Sequence, residues 1–128
     1  MFNDTNGTAR ARNTIIASNL LNLGGVNPDV SGNFTSDGYN LIGDPTGSSG
    51  FGSTGDIVGT STNPIDPLLD SLRFNGGSTP TFAFRPGSPA INAADRILLP
   101  TDPTTDQRGN SRISGGRADI GAFEFSFA

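Results

Sequence analysis

The chain has 128 residues and a formal net charge of −4, with eight Arg, eleven Asp, one Glu, and no Lys, His or Cys. Those absences exclude a Ser-His-Asp triad, a Cys-His pair, the usual zinc and iron–sulfur centres, a phosphate-binding lysine and a Schiff base. The acidic balance argues against a nucleic-acid partner, and no apolar stretch approaches the ~18 residues that would predict a membrane span.

Residues 1–11 are a polar segment without the apolar run of a signal peptide. Ile15-Ile16-Ala17, flanked by Asn13 and Asn19, is short and β-branched and predicts a strand. Further strands are expected at Asp29-Val30-Ser31, running on to Phe34, at Tyr39-Asn40-Leu41-Ile42 and at Asp56-Ile57-Val58. Turn residues separate them: Gly24-Gly25, Asn27-Pro28, Asp37-Gly38 and Gly43-Asp44-Pro45. Asn13 and Asn40 each stand just ahead of a pair of aliphatic residues, 27 residues apart. A strand returning at that interval suits one coil of a β-solenoid, and an ordinary β-sandwich is the other architecture these residues allow. In stacked coils Asn13 and Asn40 would form an amide ladder, with Ile15, Ile16, Leu41 and Ile42 as core.

Residues 43–63 are rich in Gly, Ser and Thr, too long for an ordinary structureless loop of ~12–15 residues, and are expected to be an excursion from the last coil. The expected division is therefore a polar segment over 1–11, about two coils over 12–60 and a closing module over 61–128. Within the last part, Thr81-Phe82-Ala83-Phe84 predicts a strand. Ser88-Pro89-Ala90-Ile91 predicts a short helical turn, with Ser88 as N-cap and Pro89 at the first helical position. Residues 119–125 alternate Ile120 and Ala122 with Phe123 and Phe125 and predict a terminal strand.

Gly50-Phe51-Gly52-Ser53-Thr54-Gly55 matches a dinucleotide fingerprint in letters, but strand and loop follow it where the motif requires a helix. Asp37, Asp44 and Asp56 lie among carbonyl and hydroxyl oxygens of the kind calcium prefers, yet no calcium-loop pattern is present. Asx-turns and caps are the commoner use of such residues, so no cofactor is expected and calcium is the alternative. The densest charged cluster is Asp106, Arg108, Arg112, Arg117 and Asp119. An enzyme would use it as a carboxylate base beside a substrate-clamping Arg. The structural reading makes Asp106 a turn cap and has Arg108 bond backbone carbonyls or Asp119, a clamp that pins the last connection. Phe82, Phe84, Phe123, Phe125 and Phe127 read as core, with a sugar-stacking platform as the alternative.

Several blocks also resemble a family. They are residues 13–19, Asp29-Val30-Ser31-Gly32, Gly38-Tyr39-Asn40-Leu41-Ile42-Gly43, Asn63-Pro64-Ile65-Asp66-Pro67-Leu68-Leu69 and Asn75-Gly76-Gly77. Pro86-Gly87-Ser88-Pro89-Ala90-Ile91, Thr105-Asp106-Gln107-Arg108-Gly109 and Asp119-Ile120-Gly121-Ala122-Phe123-Glu124 complete the set. In this order the set resembles the C-terminal part of bacterial right-handed parallel β-helix surface proteins of the choice-of-anchor or polymorphic-outer-membrane-protein-like kind. The family usually follows its Pro-Ala-Ile block with Asp and Gly, where this chain has Asn92 and Ala94, and often carries His where Phe82 stands.

The resemblance implies an all-β fold: the last coils of a right-handed parallel β-helix plus a capping segment with a helical turn and a terminal strand. It implies an extracellular or cell-surface setting. The partners would be upstream coils of a longer chain, a second copy, or polysaccharide. The function expected is a non-catalytic structural or adhesion-type module. The rivals are a fragment of a β-helix polysaccharide lyase or hydrolase with its catalytic residues upstream, and a calcium-stabilised binding module.

Overall fold

The computed structural model describes residues 1–20, 28–97, 99 and 101–126. Among these, seven two-residue strands form: β1 Arg10–Ala11, β2 Ile15–Ile16, β3 Gly32–Asn33, β4 Thr35–Ser36, β5 Leu41–Ile42, β6 Ser48–Ser49 and β7 Ile57–Val58. Every pairing between them is parallel. β1 pairs with β4, β3 with β6, and β5 lies between β2 and β7. The chain divides into two compact units, Met1–Pro67 and Leu68–Ala128, and all seven strands belong to the first.

The strands are short because left-handed residues punctuate the extended backbone. Asn13, Ser18 and Tyr39 have φ of 51°, 60° and 57°, and Gly38 and Gly50 have φ of 94° and 97°. A β ladder cannot run through such a residue, so each pairing ends after two. Between the turns, the aliphatic residues meet in a core of Ile16, Val30, Phe34 and Ile42, with Ala9, Phe51 and Val58 packed on it. The Phe34 and Phe51 rings lie 5.1 Å apart. Leu41 and Ile42 are fully buried, as their place in the middle strand of the three-stranded sheet requires.

Gly50 shows how closely the layers approach. A Cβ built there would stand 1.8 Å from the Phe34 carbonyl oxygen, at a φ of +97°. Gly50→Ala is therefore expected to lower the unfolding free energy by about 2 kcal/mol or more, from backbone strain plus displacement of the Phe34 carbonyl. Gly52→Ala is the control: its φ is +110° but nothing lies within 4 Å of the new methyl group. A urea midpoint that drops equally in the two variants would refute the close-approach argument.

The second unit contains isolated antiparallel bridges rather than strands, at Leu69↔Phe84, Arg73↔Thr81, Thr105↔Ser111 and Ser114↔Arg117. Small buried residues let its backbones meet: the Ile120 amide donates to the Ala90 carbonyl at 3.0 Å, and the Ala94 amide to the Ala118 carbonyl at 3.1 Å. Ala90, Ala94, Ala118, Ile120, Phe84 and Phe123 are buried there. Phe84 meets Phe123 edge to face at 5.9 Å.

The expectation of a right-handed parallel β-helix, or β-solenoid, with a helical turn and a terminal strand is corrected by these observations. The all-β character stands, but the parallel strands are two-residue pairs in three small sheets, with no closed sheet and no helix among the described residues. At residues 88–92, Ser88 does accept the Ala90 amide on its hydroxyl oxygen, at 3.2 Å. Asn92 then enters the left-handed region, with φ 54°, so the turn cannot propagate into a helix. Residues 119–125 form no strand: Gly121 has φ 102°, and the Phe125 amide turns back to the Asp119 carboxylate at 2.5 Å. Within 43–63, β7 forms at the strand expected over Asp56-Ile57-Val58, and β6 stands where a loop is expected. The turn at Gly24-Gly25 and Asn27, and Phe127, lie outside the described residues.

Candidate functional site

In the first unit, a column of polar residues runs across the three-stranded sheet. Register sets it up. Ile15 lies opposite Leu41 and Leu41 opposite Ile57, which brings Thr14, Asn40 and Asp56 into line just ahead of the strands. Asn40 is completely buried and its amide is fully used. Its Oδ1 accepts the Thr14 amide at 3.1 Å, while its Nδ2 donates to Asp56 Oδ1 at 3.1 Å, Ser36 Oγ at 2.9 Å and the Ala11 carbonyl at 3.0 Å. The side chain thus replaces ladder hydrogen bonds where the backbone bends away.

Asp56 closes the column. It accepts from the Asn40 amide, from the Ser36 hydroxyl, and from the Gly52 and Ser53 amides. Burial alone would raise its pKa, but the Ser36 hydroxyl and the three backbone donors outweigh it and hold the carboxyl below its usual value. Asn13 stands one place earlier. Its amide donates to the Gly38 carbonyl just as the Tyr39 amide donates to the Thr54 carbonyl, and Asn13, Tyr39 and Gly55 all have positive φ. The repeat that matters is therefore Thr14 to Asn40, 26 residues, and then Asn40 to Asp56, 16 residues.

The three acidic residues considered for calcium have separate surroundings. Asp37 pairs with Arg10, whose Nε donates at 3.0 Å. Asp44 is buried and caps its own turn, accepting the Thr46 amide at 3.0 Å and the Thr46 hydroxyl at 2.6 Å. Asp56 belongs to the column. Among the described residues no group of three or more acidic side chains is arranged to hold a metal ion. Asp29, which sequence reasoning did not single out, is buried as well. It accepts the Asn19 amide and side chain and the Asp44 amide, tying two turns together.

The second unit holds the larger cluster. Asp106 caps its turn as expected, with Oδ1 accepting the Arg108 and Asn110 amides at 2.8 and 3.0 Å. Its Oδ2 accepts Arg108 Nε at 2.9 Å, Arg108 Nη2 at 2.8 Å and the Glu124 amide at 3.1 Å. Burial would raise the Asp106 pKa, but Arg108 and the three amides overcome it and lower the carboxyl. Arg108 goes on to donate to the Glu124 carbonyl at 2.6 Å and lies 3.7 Å above the Phe123 ring. The partner of Arg108 is therefore Asp106 and the terminal segment. Asp119 instead accepts the Asn92 amide at 2.7 Å and the Phe125 amide at 2.5 Å. Arg117 donates to the Ala94 carbonyl.

One member of this cluster, Glu124, escapes sequence reasoning. Glu124 reads as one more residue of an alternating strand, yet only 2% of it is exposed and both its oxygens share the Asp119 amide, at 3.1 and 3.2 Å. Burial pushes its pKa from 4.5 up to about 7; the negative charges of Asp119 and Asp106 add to this, against the pull of the Asp119 amide and Arg112. Burial also raises Asp119, with the Asn92 and Phe125 amides and Arg112 working against it. Arg112 donates to the Gly121 and Asp119 carbonyls, while its Nε stands 3.8 Å from Glu124 Oε2 and is buried without a hydrogen-bond partner among the described residues. The one available signal was composition: a single Glu, set among Ile120, Phe123 and Phe125, is a carboxyl in an apolar neighbourhood.

The aromatics separate into two groups. Phe84 and Phe123 are core, whereas Phe82 is 50% exposed and Phe74 is 72% exposed. No described helix is long and apolar enough to cross a membrane. No family model matches the chain, and no curated protein and no solved structure matches it. The likeness to β-helix surface proteins therefore rests on the residue blocks alone.

Proposed function

We propose that this chain is a non-catalytic structural module that holds long polar loops in one shape. The supporting observation is the state of Asp106. Its side chain is shut from solvent and its two oxygens take five N–H donors from Arg108, Asn110 and Glu124. A general base has to reach a substrate proton, and a carboxylate so enclosed cannot. Its purpose is to satisfy backbone donors in a fold with few strands. The setting proposed with it is the cell surface or the extracellular space, as the residue blocks imply.

A second reading adds sugar contact. The Arg73↔Thr81 bridge brings Leu72, Phe74 and Phe82 onto two adjacent segments, and all three are exposed. Exposed aromatic faces stack on the apolar faces of sugar rings. Incubating the chain with neutral and acidic polysaccharides tests both readings. New reducing ends or unsaturated uronate would overturn the structural reading in favour of an enzyme; neither is expected. Retention on a polysaccharide resin that disappears with Phe74→Ala and Phe82→Ala would establish the contact, and equal retention of wild type and variants would reject it.

A further inference from the structure

We propose that Glu124 is a proton-carrying group inside the second unit, and that its ionisation draws it onto Arg112 Nε and so makes this part of the chain sensitive to pH. The inference deepens the structural reading of the same cluster and rests on it.

Charge and geometry carry it. Five buried or nearly buried ionisable groups lie together: Asp106, Asp119 and Glu124 against Arg108 and Arg112. With all five ionised the cluster holds one uncompensated negative charge, which a low-dielectric interior disfavours. The donors decide which carboxyl keeps the proton. Asp106 has a guanidinium and three amides. Asp119 has two amides, one to each oxygen. Glu124 has one amide shared between both oxygens. Glu124 is therefore the poorest site for a negative charge.

The groups facing Glu124 are the Asp119 amide and carboxylate, the Arg112 guanidinium, the Asp106 carboxylate and, through the Glu124 carbonyl, Arg108. Arg112 completes the device. Its Nη1 and Nη2 are held by the Gly121 and Asp119 carbonyls, which fixes the guanidinium, yet its Nε is unpartnered at 3.8 Å from the carboxyl. When Glu124 releases its proton to water, a contraction of about 1 Å converts that gap into a charge-assisted hydrogen bond. The movement pulls on the Asp119 amide, to which the same oxygens are bonded.

The sign follows from linkage. The folded chain holds a proton that an ordinary glutamate in the unfolded chain has released. The stability tied to it is full below pH 4.5 and is lost as pH rises to about 7. The folded-to-unfolded ratio should fall at most about a hundredfold over that window.

The test uses the full-length chain labelled with carbon-13 and nitrogen-15. The Glu124 side-chain carboxyl carbon and the Asp119 amide are followed by NMR from pH 4.5 to 9. Both should titrate with a midpoint near 7, and in Glu124→Gln the Asp119 amide should stay flat in that range. Asp119→Asn separates the two carboxyls, because coupled groups share their titration steps. A Glu124 midpoint below pH 5 would overturn the proposal. So would an Asp119 amide that still titrates near pH 7 in Glu124→Gln. If Glu124→Gln does not fold, the wild-type carboxyl titration decides alone. Failure of the clamp reading is a different result: normal melting of Arg108→Ala with the Glu124 titration intact.

Discussion

Arg108→Ala is expected to lower the unfolding free energy by about 3–5 kcal/mol, the usual cost of removing one partner from a buried ion pair. The loss has three parts. Asp106 keeps its charge but loses two donors, at 2.9 and 2.8 Å, in a place where its side chain has no contact with water. The Glu124 carbonyl loses its donor at 2.6 Å, and Phe123 loses the guanidinium 3.7 Å above its ring. Arg108→Lys should recover only part of this, because a point charge cannot fork onto Asp106 and still reach the Glu124 carbonyl. Asp106→Asn in the Arg108→Ala background should cost less than the sum of the two single changes, since the stranded charge is then gone. Equilibrium urea unfolding of the wild type and the four variants at pH 7 measures all of this. A midpoint for Arg108→Ala within experimental error of wild type would sink the clamp.

Asn40→Leu is expected to cost about 2–4 kcal/mol, although the two side chains are close in size. The cost comes from what is left behind. The Thr14 amide, bonded at 3.1 Å to the Asn40 side chain, would have no acceptor. Asp56 would lose the Asn40 Nδ2 donor at 3.1 Å, and the Ala11 carbonyl would lose one of its two donors, at 3.0 Å, keeping the Asp37 amide. Leu cannot compensate, because the site is polar on three sides. Asn40→Asp gives a sharper version. It would place a second carboxylate against Asp56, so the destabilisation should be greatest at neutral pH and should shrink as pH falls through the carboxylate range. If Asn40→Asp melts identically at pH 4 and pH 7, the Asn40–Asp56 contact is not what holds the column.

The site was only partly readable in the residues. Asp106 before Gln107-Arg108-Gly109 announces a capped turn, and the structure places its Oδ1 on the Arg108 and Asn110 amides. A local pattern predicts a local contact, because two or three residues leave little freedom. The partner of Asn40 was displaced by one residue for the opposite reason. Asn13 and Asn40 look equivalent by neighbourhood, but register is set by the pairing of Ile15 with Leu41, and that pairing aligns Thr14 with Asn40. A single-residue shift moves every side chain to another position in the column.

By itself, the sequence determined the chemistry this protein lacks and where its short strands begin. No fold can supply an imidazole, a thiol or a lysine side-chain amine that the chain does not contain. Aliphatic pairs bounded by Gly, Asn and Asp have few conformations besides β, and strands form at Ile15–Ile16, Leu41–Ile42 and Ile57–Val58. Tertiary structure alone decided how far those strands extend and how each carboxyl is charged. Left-handed residues at Tyr39 and Asn92 end elements that the pattern would have continued. Glu124 and Asp106 differ little as side chains, yet one is raised to about 7 and the other lowered. The difference lies in the donors: Asp106 takes the Arg108 guanidinium and the Arg108, Asn110 and Glu124 amides, whereas Glu124 is buried with the Asp119 amide shared between its two oxygens. A carboxyl's charge depends on what surrounds it, and its surroundings exist only once the chain has folded.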